Sequence, residues 1–159
     1  MSHYLIGIDP GVSGAIVVLA AYSVGEPVVI EALRMPTAKV GKSSRVNGAA
    51  VAEFLSEYDG GHAFIERVGS MPGQGVASTF TFGHAAGLVE GVVAALRIPL
   101  TLVSPQTWKA RAGLIGTDKD AARSRAIQLW PRWSGLAKKG EGQAMADAAL
   151  IARFGGPAK

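Results

Sequence analysis

The chain has 159 residues, 48% of them hydrophobic and 18% charged, which suits one globular domain with a sizeable core and excludes a disordered chain. It has no cysteine, so disulfides and thiolate metal sites are excluded, and a reducing cytoplasm, bacterial, phage-infected or organellar, is the expected setting. No uninterrupted apolar run reaches the roughly 18–20 residues of a membrane span, and Met1-Ser2-His3 leads straight into a strand pattern without the basic and cleavage regions of a signal peptide.

Three β-type runs open the chain, Tyr4–Asp9, Ala15–Ala21 and Pro27–Arg34, joined by short turns carrying Gly11, Gly14 and Gly25, as in an antiparallel meander. A basic Gly/Ser-containing loop over 36–45 comes next. Ser44 or Asn47 is placed to cap a helix over about 48–58, with Val51, Phe54, Leu55 and Tyr58 on one face. His62–Glu66 reads as a short buried strand and Gly69–Gly75 as a mobile loop. Ala77–Leu96 reads as a long helix with Gly83, Gly87 and Gly91 on one stripe. Each glycine costs a helix about 1 kcal/mol relative to alanine, so the stripe implies close approach of another backbone, either the sheet or a partner helix. Leu100–Val103 is a strand, Pro105 suits a helix start, and Asp118–Leu129 is a helix ended by Trp130-Pro131. A loop to about Gly142 leads into the last helix. With no repeat or linker, residues 1–159 form one α/β domain, a mixed sheet flanked by helices whose first and fourth strands run parallel.

The net charge of +4 is unevenly placed. Residues 104–139 hold Lys109, Arg111, Lys119, Arg123, Arg125, Arg132, Lys138 and Lys139 against only Asp118 and Asp120, a local excess of +6 that leaves −2 for the remainder. Arg34, Lys39, Lys42 and Arg45 form a second acid-free stretch. Two such stretches suit a polyanion, and nucleic acid is the partner they point to.

Three acids lie in apolar company. Asp9 ends the first strand, Glu66 follows Ala63-Phe64-Ile65, and Asp147 sits within Met145–Ala152. The neighbours of Asp147 at helical spacing are Leu150, Ile151 and Phe154, so its carboxylate faces the sheet. In an open α/β sheet, Asp9 and Glu66 reach the carboxyl-end edge where sites form. Converging carboxylates repel one another unless a cation joins them, and an all-oxygen set suits Mg²⁺. Pairs of such ions activate a water and stabilise the leaving oxygen in phosphodiester hydrolysis. Asp9 suits a bridging ligand, Glu66 the ion that orients the water, and Asp147 the second ion. Lys119 is placed to meet the charge that builds on the phosphate. The three histidines read as structural.

Gly7-Ile8-Asp9-Pro10-Gly11, Ile65-Glu66-Arg67-Val68, Val103-Ser104-Pro105-Gln106-Thr107-Trp108-Lys109 with Asp118-Lys119-Asp120, and Ala146-Asp147-Ala148-Ala149-Leu150-Ile151-Ala152 resemble, in that order, the RuvC-type Holliday junction resolvases. The Trp-Lys and Asp-Lys pairing is similar to phage-borne and chloroplast members, and the resemblance runs along nearly the whole chain. It implies a ribonuclease H-like five-stranded sheet and a homodimer, for which Gly83, Gly87 and Gly91 are the candidate interface. It further implies symmetric nicking of four-way DNA junctions with two Mg²⁺ per site, Mn²⁺ being able to substitute. Arg34, Lys39, Lys42, Arg45, Met71, Lys109, Arg111, Arg123, Lys138 and Lys139 are then the candidate DNA contacts.

Two positions depart from the family pattern. The family's fourth ligand, commonly three residues before the last Asp, is Ala144 here, which leaves Glu141 as the candidate if its loop folds back. Gly69 stands where some members carry an aromatic that enters the junction, with Met71 nearby and Phe80, expected in the core, further on. The alternatives are a ribonuclease H-like nuclease acting on RNA or RNA–DNA hybrid, a junction-binding protein of weak activity, and, given its strand-Asp-x-Gly opening, an actin-like ATPase lobe that lacks its second lobe.

Overall fold

β1 (His3–Asp9), β2 (Ala15–Ala21) and β3 (Val28–Arg34) form the antiparallel meander, with Asp9 opposite Ala15 and Ala15 opposite Arg34. This is a computed structural model, and it describes residues 3–157. Two further strands, β4 (Thr37–Val40) and β5 (Ser43–Val46), pair with each other in a separate hairpin. The basic segment expected as a loop is therefore a two-stranded arm. Gly41, at φ 61°, supplies the positive φ that a two-residue hairpin turn needs, and Lys42 sits beside it at the tip.

Asn47 caps α1 (Gly48–Ser56), its side chain accepting the Ala50 N–H at 3.2 Å. Tyr58, just beyond the helix, is buried and donates its hydroxyl proton to Glu31 of β3. The parallel part follows: β6 (His62–Glu66), α2 (Val76–Ala95) and β7 (Leu100–Val103), which gives the sheet order β3-β2-β1-β6-β7. The expectation of a mixed five-stranded sheet with parallel first and fourth strands holds.

Three helices complete the chain: α3 (Pro105–Ala112), α4 (Asp120–Leu129) and α5 (Lys139–Phe154). The strand pleat sorts residues onto two faces. Ile6, Ile8, Ile16, Val18, Ala63 and Ile65 pack with α1 and α2, whereas Leu5, Val17, Leu19 and Phe64 pack with α3, α4 and α5. Asp118 lies just outside α4 rather than within it, and its carboxylate accepts the N–H groups of Asp120 and Ala121 at 3.0 Å each. α5 starts at Lys139, inside the segment expected as a loop to about Gly142, after a 3₁₀ turn at Ser134–Leu136.

α5 is the element that sets the site. Its buried face is mostly alanine (Ala146, Ala148, Ala149, Ala152), so it lies close on β1. The approach is tightest at Gly7, where a Cβ would meet the Ala148 carbonyl oxygen at 1.9 Å and the Ala152 nitrogen at 2.5 Å. The guanidinium of Arg153 holds the other side of α5 to Glu26, at 2.7 and 3.2 Å. Among the described residues, no helix is long and apolar enough to cross a membrane.

Candidate metal and nucleic-acid site

The pleat that puts Leu5 and Gly7 under α5 also puts Asp9 there. Its strand ends because Pro10 cannot donate to the ladder, and the chain turns through Gly11 and Gly14, closed by the Gly14 N–H on the Gly11 carbonyl at 2.9 Å. A Cβ on Gly14 would stand 2.0 Å from the Asp9 carbonyl oxygen, so this turn demands glycine. Glu66 shares the face of Phe64, and the parallel register runs Gly7 to Phe64 and Ile8 to Ile65, bringing Asp9 and Glu66 alongside at the next step. Asp147, on the inner side of α5, completes the set, and all three are half-buried.

Their electrostatics show how close they are. Burial, and then the charge of Glu66, push the Asp9 carboxyl up to about 6, against a hydrogen bond from the Gly11 N–H. Burial, followed by the charges of Asp9 and Glu66, raises Asp147 to about 7, with Gln143 and Lys109 pulling the other way. Each carboxylate is held by a neutral N–H donor. Gly11 serves Asp9, the Trp108 indole donates to Glu66 Oε2 at 2.7 Å, and the Gln143 amide donates to Asp147 Oδ1 at 3.1 Å. Among the described residues, none of the three has a salt-bridge partner.

Clustered acids without a counter-cation are what a divalent ion relieves. Among the described residues, no group of three Asp, Glu or His is gathered tightly enough to hold one ion by itself. Mg²⁺ needs only one or two carboxylates and fills its octahedron with water and phosphate oxygens. The hard oxygen set fits the ion that the sequence implies.

Beside Asp147 opens a cleft of about 410 Å³ lined by Lys109, Thr117, Asp118, Lys119 and Gln143 among others. Lys119 is therefore at the site rim as expected, but Lys109 is the lysine whose charge acts on Asp147. Its ammonium sits 5.4 Å from the centre of the Trp108 ring.

Other expected residues fall elsewhere. Glu141 is in the first turn of α5, paired with Arg34 at 3.5 Å and with Lys138 at 4.0 Å, and its charge acts on neither Asp9 nor Asp147. The loop that was to fold it back is helix. Arg111 caps the far end of α5, donating to the carbonyls of Phe154, Gly155 and Gly156 at 3.1, 2.8 and 2.7 Å. Arg123 donates to the carbonyls of Leu136 and Ala137 and so fixes the turn before α5. Both guanidiniums have structural partners at the two ends of α5. Lys139 pairs with Asp120 at 3.0 Å. Lys39, Lys42 and Arg45 project on the β4–β5 arm, where Arg45 lies 3.4 Å from His84 Nε2. Met71 is 69% exposed, and Phe80, expected in the core, is 65% exposed. Gly83, Gly87 and Gly91 face outward, with nothing within 4 Å of a Cβ at any of them. That excludes the sheet as the reason for the stripe.

The raised carboxyls carry a testable consequence. Because both bind protons more tightly in the folded state than the ordinary 3.8 of the unfolded chain, the metal-free fold loses stability as pH rises from about 4 to about 7. Melting temperature followed by circular dichroism without metal is expected to fall across that window. The fall should be flatter in an Asp9→Asn/Asp147→Asn double variant, and saturating Mg²⁺ should restore the wild type at the upper end.

No protein-family model matches the sequence. No curated protein matches it either. Solved structures do match. The Thermus thermophilus RuvC structure aligns at 19% identity and TM-score 0.62, over 96% of each chain. T. thermophilus RuvC in complex with a Holliday junction substrate aligns at 12% identity and TM-score 0.63, over 93% of this chain and 91% of that one. The yeast mitochondrial Holliday junction resolvase Ydc2 aligns at 15% and 0.53, over 94% of this chain and 75% of its own. From β1 to α5, this chain has the ribonuclease H-like fold of the RuvC resolvases.

Proposed function

We propose that this chain is a Mg²⁺-dependent endonuclease that nicks four-way DNA junctions in symmetric pairs as a homodimer. The observation that carries the reading is the convergence of Asp9, Glu66 and Asp147 on one sheet edge, where burial and then neighbouring carboxylates push Asp9 and Asp147 up and, among the described residues, no salt bridge joins any of the three. Two structures that share this fold, by their own descriptions, concern Holliday junctions.

Asp9 would hold a divalent ion together with Glu66, and Asp147 would complete a second site. When bound, the ions supply a nucleophilic water at neutral pH and charge for the departing oxygen. Lys109 and Lys119, on the cleft beside Asp147, bring ammonium groups to the scissile phosphate, where negative charge grows in the transition state. The Lys39, Lys42 and Arg45 arm, together with Arg34, Lys138 and Lys139, supplies salt-sensitive contacts to the DNA backbone. Met71 and Phe80 are the exposed apolar groups available to unpaired bases.

Incubating the protein with synthetic four-way junctions, linear duplexes and RNA–DNA hybrids, with and without Mg²⁺, tests the reading. Paired nicks in the junction alone, and only with Mg²⁺, are expected. Preferential cutting of the hybrid would make it a hybrid nuclease, and tight junction binding without any cut would make it a binding protein.

The dimer has its own test. Since a Cβ at Gly87 meets nothing within 4 Å, Gly87→Leu is tolerated by the protomer and favoured by helix propensity by about 1 kcal/mol. If the glycine stripe is the dimer contact, the variant is expected to be a folded monomer making slow, unpaired cuts. Sedimentation and circular dichroism on one sample check this, and a folded dimer would move the interface elsewhere.

A further inference from the structure

We propose that Trp108 is a positioning residue for Glu66: a buried indole whose task is to orient a metal-binding carboxylate without neutralising it. The inference rests on the metal reading above. Trp108 is 1% exposed, and its N–H reaches Glu66 Oε2 at 2.7 Å, while Glu66 Oε1 takes no hydrogen bond among the described residues. An indole N–H donates only and carries no charge. It fixes the plane of the carboxylate and leaves the second oxygen, and the full negative charge, for a cation. A lysine or arginine at the same place would do the opposite, competing with the ion as a counter-charge.

The local chain is built to hold that indole still. Ser104 caps α3, its hydroxyl accepting the Thr107 N–H at 3.1 Å, and Pro105 opens the helix. Trp108 therefore comes at the first turn after β7, whose last residue Val103 pairs with Glu66. The ring packs into the core shared by α3, α4 and α5. Its neighbour Lys109 lies over the ring rather than on the Glu66 carboxylate. The same device recurs at the other two acids, where Gly11 and Gln143 give one neutral N–H each. Each of the three carboxylates is thus oriented by a neutral donor and, among the described residues, by no salt bridge, as outer ligands do around metal centres.

The test is Mn²⁺ binding, followed by the electron paramagnetic resonance signal of the free ion, on full-length wild type, Trp108→Phe, Glu66→Gln and the double variant. Phenylalanine keeps an aromatic ring in the core and removes the donor. Trp108→Phe is expected to weaken Mn²⁺ binding about 10–100-fold. In the Glu66→Gln background, the same change is expected to matter by no more than about twofold, because the residue acts through Glu66. Junction cleavage by Trp108→Phe should recover at saturating Mn²⁺, with junction affinity unchanged throughout. Wild-type Mn²⁺ affinity in Trp108→Phe would overturn the inference, and so would an equal loss in both backgrounds, which would mark a packing defect. Unaltered Mn²⁺ binding by Glu66→Gln itself would instead overturn the metal reading and the inference with it. Should Trp108→Phe fail to fold, benzothienylalanine at position 108, which keeps the bicyclic shape and lacks the N–H, gives the same comparison.

Discussion

Asp9→Asn is expected to abolish junction nicking while junction binding survives. The substitution keeps the size of the side chain and removes the charge that helps to raise Asp147. Asp9 is a proposed ligand of the ion that Glu66 also holds, so the loss should be at least about 10²–10³-fold, the scale of a single lost transition-state charge contact. Glu66→Gln and Asp147→Asn should follow the same course. Binding should persist because it comes from the basic arm and the rim lysines, not from the acids, and removing a negative charge beside a phosphate can only help. Single-turnover cleavage alongside fluorescence anisotropy, on the same junction, measures both quantities. A variant that keeps near wild-type turnover would remove that residue from the site.

Gly7→Ala is expected to damage the protein more than any surface change, although Gly7 touches no substrate. Its Cβ would lie 1.9 Å from the Ala148 oxygen and 2.8 Å from the Ala152 Cβ, so α5 must lift from β1. Overpacking of a core typically costs about 1–3 kcal/mol, and a clash with helix backbone belongs at or above the upper end. Because Asp147 directly precedes Ala148, whose carbonyl the new Cβ would strike, the folded fraction should also cut poorly. Urea unfolding gives the first effect, and cleavage per folded molecule the second. Wild-type stability would mean that α5 lies further from the sheet than the structure has it.

The parts of this molecule that were readable from sequence are those whose pattern is local. The meander, the parallel strand at His62–Glu66, the strand at Leu100–Val103 and the inward face of Asp147 all rest on period-2 or helical spacing, and the structure keeps them. The basic arm was legible only in part. Thr37–Val40 and Ser43–Val46 flank a two-residue Gly41-Lys42 turn, a hairpin signal masked by its charge and by the absence of buried alternation. The early start of α5 was hidden by Gly140 and Gly142, which weaken any helical pattern.

The site shows the same division. Asp9, Glu66 and Asp147 announce themselves as acids in apolar runs. Their holders do not. That Trp108 reaches Glu66 across 42 positions, or that Arg111 turns to the end of α5, depends on how separate elements pack. Phe80 was expected inside because aromatics usually are, yet it lies on the outward side of α2. Gly7 carried a readable signal, since a lone glycine inside a strand marks close backbone approach.

The most direct measurement is an anomalous difference map from crystals of the protein soaked in Mn²⁺. Anomalous density between Asp9, Glu66 and Asp147, absent from Asp9→Asn crystals treated the same way, is the predicted result. Density only elsewhere on the chain, or none at these carboxylates at saturating Mn²⁺, would contradict it.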